Sequence, residues 1–305
     1  MATQPQPFLS TNRYAVVTGG NKGIGLEICR QLAQKGVTVI LTSRDEKRGL
    51  QALQDIENSG FSNVIFHRLD VSDVSTIPPL FDFVNKQFGR IDILVNNAGI
   101  LGTAVDPDIM TRETQKVGGE FPFDEVHWKE ISKDSYELAE ECLRTNYYGA
   151  KAMIEAFLPL LQLSTSPRIV NVSSTLGTLQ FIPGEWLKKT LNDPDTLTEE
   201  KVEEILKTFL EEFKAGNLRE KGYPPHISAY KMAKASLNAY SRILAKKLPS
   251  VQVNCVCPGF VRSDIVAGNG LLSPTEGAES AVRLAVRSEE GPTGRFYFRM
   301  EVADF

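Results

Sequence analysis

Cysteine is scarce in this chain: four residues in 305, Cys29, Cys142, Cys255 and Cys257. No two of them form a CxxC pair, so no disulfide framework is indicated, and free thiols in a reducing, cytoplasmic setting are expected. Cys255 and Cys257 fall two apart in a β-like run and share one face, as core thiols do; metal binding is the other reading of that spacing. Histidine is scarcer still, and His67, His127 and His226 make no metal-spaced cluster, so no metal is expected. A basic excess is also missing. Lys plus Arg is 34 against 38 Asp plus Glu, a net charge of −4, which offers no footprint for nucleic acid. No apolar run reaches the ~18 residues of a membrane span. Residues 1–13 lack a basic-then-apolar signal pattern and read as a short flexible tail. Internal repeats and low-complexity stretches are absent.

What the chain does have is alternation. Short apolar runs at 14–18, 37–42, 64–69 and 91–95 are separated by helical patterns at 23–35, 52–58 and 77–88. The pattern resumes with a long helix within 135–161, a strand at 168–172, a helix at 229–247, a strand at 251–256, a helix at 274–286 and a last short strand at 296–298. Continuous apolar strands joined through helices predict a parallel sheet covered on both faces. The expectation is a single α/β domain over 1–305, doubly wound, with seven parallel strands. Two stretches interrupt it, 101–134 and 178–225, and long connections are usually functional or structured in their own right. In the second, Val202, Ile205, Leu206, Phe209, Leu210 and Phe213 form an apolar helical stripe, with Thr198 or Thr196 as N-cap and Gly216 as stop.

Several motifs carry chemistry. Thr18-Gly19-Gly20-Asn21-Lys22-Gly23-Ile24-Gly25 stands where the first strand meets the first helix, a place where a glycine turn can offer amides to a pyrophosphate. The second strand ends in Thr42-Ser43-Arg44-Asp45, with Arg48 beyond. An acid there would accept from ribose hydroxyls, whereas Arg44, with Lys22 and Arg48, suits a 2′-phosphate; the alternative is three solvated surface charges. Asp45 reads as the first-turn acid of the next helix. Tyr230 and Lys234 are four apart on a helix, and Ser174 follows the fifth strand. A lysine close to a phenol is expected to lower its pKa from ~10 and make it a useful acid/base. Ser174 can steady a substrate oxygen, and Asn146, inside the long helix, can bend it and anchor a water in a relay to Lys234.

The glycine turn, Asn96-Asn97-Ala98-Gly99 after the fourth strand, the serine, the Tyr230–Lys234 pair and Pro258-Gly259-Phe260-Val261 occur in one order over residues 14 to about 264. The chain thereby resembles the short-chain dehydrogenase/reductase family, with its Rossmann fold. Runs such as Tyr136-Glu137-Leu138-Ala139-Glu140-Glu141-Cys142-Leu143 and Val253-Asn254-Cys255-Val256-Cys257-Pro258-Gly259 resemble its plant salutaridine reductase and menthone/neomenthol reductase-like branch. Animal carbonyl reductases share the insertion before the tyrosine. The resemblance implies an NADPH-dependent reductase converting a ketone to a secondary alcohol. Tyr230 would protonate the oxygen, Ser174 would hold it, Lys234 would bind ribose and tune Tyr230, and Asn146 would feed the relay. It implies cofactor contacts at Gly19, Asn21, Lys22, Gly23, Ile24, Gly25, Arg44, Arg48, Asp70, Val71, Asn97, Ala98, Gly99, Tyr230, Lys234, Pro258, Gly259, Val261 and Ser263. At 263 a serine replaces the usual threonine. As a lone residue Asp70 could equally be a helix cap. The partner expected is a small-molecule ketone, with no nucleic acid and no membrane. An ene-reductase relative carries glutamate in place of the tyrosine, so Tyr230 favours carbonyl reduction; a silent NADPH-binding scaffold is the third possibility. Members of the family usually pair through the two long helices near the catalytic lysine. The striped insertion is expected to fold onto that face and leave a monomer, unless the stripe is itself a dimer surface.

Overall fold

In the computed structural model, which describes residues 12–193, 195–287 and 291–305, each apolar run becomes a strand. Most of the expected tail, residues 1–11, lies outside the described residues. The strands are β1 (Tyr14–Val17), β2 (Thr38–Ser43), β3 (Val64–Arg68), β4 (Ile93–Asn96), β5 (Ala104–Val105), β6 (Ser132–Lys133), β7 (Arg168–Val172), β8 (Gln252–Cys257), β9 (Phe296–Phe298) and β10 (Glu301–Ala303). The helices are α1 (Gly23–Gln34), α2 (Glu46–Asn58), α3 (Ile77–Phe88), α4 (Pro107–Lys116), α5 (Glu125–Ile131), α6 (Tyr136–Leu143), α7 (Ala150–Leu161), α8 (Glu185–Asn192), α9 (Glu199–Ala215), α10 (Ser228–Lys247) and α11 (Pro274–Val286).

The main sheet has eight strands in the order β10-β9-β8-β7-β4-β1-β2-β3. Seven are parallel, as expected; β10 pairs antiparallel with β9 and adds an eighth. Its Glu301-Val302-Ala303 is largely exposed and carries no apolar run, so nothing in the pattern marked it. β1 pairs with β2 on one side and β4 on the other, with Val16 opposite Ile40 and Leu94. The strand order therefore reverses beside β1, and a crevice opens at the carboxyl ends of the strands there.

Side chains alternate across the sheet. Ala15 and Val17 pack with Ile28, Leu32 and Ile56 of α1 and α2 and with Ala281 and Ala285 of α11. Val16 joins the opposite core, with Leu80 and Val84 of α3, Phe157 of α7 and Tyr240 of α10. Among the described residues no helix is long and apolar enough to cross a membrane.

Three elements differ from expectation. The long helix is two helices, α6 and α7, joined by a π-helical turn at Arg144–Gly149. The stretch 101–134 is structured, with α4 and α5 between the antiparallel strands β5 and β6. The insertion holds α8 as well as the expected amphipathic helix. That helix, α9, is capped by Thr198, whose hydroxyl accepts from the Lys201 amide at 3.2 Å, and ends at Gly216 with φ 77°. Its buried Val202, Ile205, Leu206 and Phe209 face α6 and α10.

Candidate active site

The glycine turn is held from β4. Thr18 Oγ1 accepts from the amides of Asn97 and Ala98, each at 3.0 Å. Asn97 Nδ2 donates to the carbonyls of Thr18 (2.9 Å) and Gly19 (3.1 Å). These bonds leave no room for a side chain at Gly25, where a Cβ would sit 2.2 Å from the Gly19 oxygen and 2.4 Å from Asn97 Nδ2. Gly19 itself needs a left-handed φ of 65°. No side chain caps α1, and its first residues, Gly23 and Ile24, line the crevice, the arrangement that suits a pyrophosphate.

The crevice is a cleft of about 1110 Å³ along the strand ends. Its walls include Gly19, Asn21, Lys22, Gly23, Ile24 and Arg44 on the β1–β2 side, and Asp70, Val71, Asn97, Ala98 and Gly99 after β3 and β4. Ser174, Tyr230 and Lys234 form its inner wall, and Pro258, Gly259, Val261 and Ser263 close it after β8. Three of the expected residues do not line the cleft. Gly25 lies beneath the turn. Arg48 is turned toward Asp45, with Nε 3.4 Å from the carboxylate. Its guanidinium is otherwise largely exposed. Asp45 itself is the N-cap of α2, accepting from the Arg48 amide at 3.0 Å, one position before the first turn. The third, Asn146, is fully buried in the π-helical turn.

The remaining cations do face the cleft. Arg44 is largely exposed, with Nη1 3.9 Å from Glu141, and Lys22 pairs with Asp264 across the cleft mouth. Asp70 is no helix cap: Asp73 caps the next turn, and Asp70 Oδ1 accepts from the amide (3.0 Å) and hydroxyl (2.7 Å) of Ser72.

The reactive group is assembled by close backbone packing. Ser174 opens a 3-10 turn, accepting from the Leu176 amide at 3.1 Å. That turn lies directly on α10, because a Cβ at Gly177 would come 2.6 Å from Lys234 Cβ and 2.9 Å from the Ala235 amide. Sequence reasoning passed over Gly177; its only signal was a glycine three residues beyond the serine. It also missed Ile227, a buried β-branched residue with φ 48° at the start of α10, a strained conformation that sets where the helix bearing Tyr230 begins. Beneath the site, Asn96, Asn171 and Ser241 form a buried chain of hydrogen bonds at 2.9 and 2.8 Å, and Ser173 Oγ meets Asn238 Oδ1 at 2.7 Å. This network joins β4 and β7 to α10.

Lys234 Nζ donates to the Val172 carbonyl at 2.8 Å and stands 5.6 Å from the Tyr230 ring centre. Burial lowers its pKa to about 8. Burial raises that of the Tyr230 phenol, with Cys257 adding to the rise and a hydrogen bond with Ser174 opposing it. In the chain by itself, burial thus moves the phenol the opposite way from the expected pull of a neighbouring lysine. Asn146 Oδ1 accepts from the Ile100 amide at 2.9 Å and its Nδ2 donates to the Ile100 carbonyl at 2.8 Å. Both ends of the amide are therefore engaged with the loop after β4. Among the described residues no group of His, Cys, Asp and Glu could hold a metal ion, and all four cysteines are buried and free.

The outer half of the cleft is aromatic. Phe121 meets Phe260 edge-on with ring centres 5.3 Å apart, and both line the cleft.

Comparison with known proteins places these features in a family. The sequence profile described as short chain dehydrogenase matches residues 13–185. Short-chain dehydrogenase/reductase 1 of Saponaria officinalis is 53% identical over 300 residues, 98% of each chain. The (+)-neomenthol dehydrogenase of Arabidopsis thaliana is 50% identical, over 97% of this chain and 99% of its own. The solved structure of salutaridine reductase from Papaver somniferum superimposes with a TM-score of 0.88 at 46% identity, covering 93% of this chain and 99% of that one.

Proposed function

The chain belongs to the short-chain dehydrogenase/reductase family, oxidoreductases acting on CH–OH and C=O groups, and from that premise we propose that it is an NADPH-dependent carbonyl reductase. Its substrate is an apolar cyclic ketone of plant secondary metabolism, a terpenoid or an alkaloid, reduced reversibly to a secondary alcohol. The observation that carries this reading is the convergence of Ser174, Tyr230 and Lys234 on one wall of the cleft.

The dinucleotide fits the residues present. Within the glycine turn Gly25 has no space for a side chain and Gly19 takes a left-handed φ, the tight backbone that a pyrophosphate can approach, and Arg44 and Lys22 present cations where a 2′-phosphate would lie. NADPH, when bound, supplies the hydride that reaches the carbonyl carbon. The protein supplies the rest. Tyr230 gives its proton to the ketone oxygen as charge develops there, and the Ser174 hydroxyl donates a hydrogen bond to the same oxygen. Lys234 holds the ribose and adds positive charge beside the phenol. Asn146 fixes the Asn97–Ile100 loop from below, and Gly99 keeps it near Lys234: a Cβ at 99 would fall 3.2 Å from Asn146 Oδ1 and 3.6 Å from Lys234 Nζ. The buried free thiols suit a reducing compartment, and we place the enzyme in the cytoplasm.

The test is loss of NADPH absorbance with a panel of cyclic ketones and conjugated enones, with products identified by mass spectrometry and NMR. Secondary alcohol is expected. Saturated ketone formed from an enone would make the protein an ene-reductase. Tight NADPH binding with no turnover across the panel would make it a scaffold.

A further inference from the structure

The connection 101–134 roofs the outer half of the cleft, where Phe121 and Phe123 line it. Phe121 touches Phe260, and Phe123 stacks on Phe181 with ring centres 5.5 Å apart and planes 15° from parallel. These are weak contacts taken singly. Among the described residues, the ion pairs that leave this connection for the insertion all converge on Glu125, the first residue of α5 and two beyond Phe123. Its carboxylate takes Lys129 of its own helix at 3.1 Å and pairs outward with Arg219. His226 Nε2 lies 3.3 Å away, in ion-pairing range without hydrogen-bond alignment. Glu113, by contrast, pairs only within the connection, with Arg112, Lys116 and His127.

Glu125 thus reaches the segment that leads into α10. His226 directly precedes the strained Ile227, with Tyr230 one helical turn on. Lys231, next to Tyr230, stands 5.8 Å from the ring centre of Phe181, on which Phe123 stacks. The roof and the segment leading into the catalytic helix therefore meet at one carboxylate, with the Phe181 turn joined to the two through Phe123 and Lys231.

We infer that Glu125 is a positioning residue for the substrate: through Arg219 and His226 it locks the Phe121–Phe123 segment against Phe181 and Phe260, fixing an aromatic wall for an apolar ring-bearing ketone. The inference deepens the carbonyl-reductase reading and rests on it for the identity of the ligand. A wall held in place loses little freedom when a flat or bulky ring docks on it, so its effect falls on binding of large ketones rather than on hydride transfer.

The experiment compares Glu125→Gln, Arg219→Gln and the double variant with the unsubstituted chain. Each single change is expected to raise KM for a bulky cyclic ketone by about three- to fivefold, the range of a partly exposed ion pair. The same variants are expected to leave kcat, the Kd of NADPH and KM for a small ketone within about twofold. The double variant is expected to be no worse than Glu125→Gln alone, because that change already removes the pair with Arg219. Hydrogen exchange, which needs no turnover, is expected to quicken at residues 121–130 in both single variants. Additive KM effects, or lowered thermal stability with unchanged KM and exchange, would overturn the inference and leave Glu125 merely structural. If the unsubstituted chain reduces no ketone, the reductase reading fails, while unchanged exchange at 121–130 would separately sink the lock.

Discussion

Burial governs both groups of the Tyr230–Lys234 pair, in opposite directions. It lifts the phenol and lowers the ammonium to about 8, so the tyrosine is set up as a donor rather than as a ready base. Tyr230→Phe removes one hydroxyl and is expected to cut ketone turnover by at least ~100-fold while NADPH binding, read by fluorescence, is retained. The direction of the phenol shift also fixes a pH signature. Reduction needs the protonated phenol and the Lys234 ammonium, so over about pH 6 to 9 its rate is expected to hold level at first and then to fall as Lys234 loses its charge near 8. Oxidation of the alcohol needs phenolate and is expected to rise over the same window; kcat measured in both directions checks this, and a falling oxidation limb would remove Tyr230 from the role. Arg44 is the second residue with a sharp consequence. Arg44→Asp replaces a cation facing the cleft with a carboxylate that repels a 2′-phosphate and can accept from ribose hydroxyls. The ratio of kcat/KM for NADPH over NADH is expected to fall by at least tenfold, about 1.4 kcal/mol. An unchanged ratio would make Arg44 a surface charge.

Among the elements, α9 shows how far a periodic pattern reaches. Its stripe, its Thr198 cap and its Gly216 stop are all where the spacing put them. Phe209 is fully buried, with its ring 5.5 Å from that of Tyr223. Phe209→Ala is expected to destabilise the fold by ~3–5 kcal/mol, and Thr198→Ala by about 1 kcal/mol, both read from urea unfolding. Equal small effects would mean that α9 is loosely docked. Where the period was interrupted, the pattern misled. The π-helical turn at Arg144–Gly149 keeps helical hydrophobicity on both sides, so 135–161 reads as one helix, although the turn is what buries the Asn146 amide against Ile100. Helices α4 and α5 are short, and their few buried residues, such as Met110 and Trp128, are too sparse to set a period.

For the whole molecule, the insertion decides how the surface is used. α9 lies across α6 and α10, the region through which the family resemblance implies pairing. With Val202, Ile205, Leu206 and Phe209 buried there, a second copy has no access to that face, and a monomer is expected. Light scattering over a dilution series is expected to give 33.8 kDa; twice that mass at all concentrations would show that the chain pairs through another surface.

The amino-acid sequence alone determined the alternation of strand and helix, the glycine turn and the Tyr230–Lys234 spacing, because each depends on residues close together in the chain. It could not show that Gly177 must be bare for Ser174 to meet α10, since that contact joins turns 57 residues apart, at 177 and 234. Nor could it show that burial raises the Tyr230 phenol, because desolvation depends on everything packed around it. The pairing of Arg48 with Asp45, the added strand β10 and the pairing of Glu125 with Arg219 were likewise decided by tertiary structure. Each is a competition among partners that only the folded chain brings within reach.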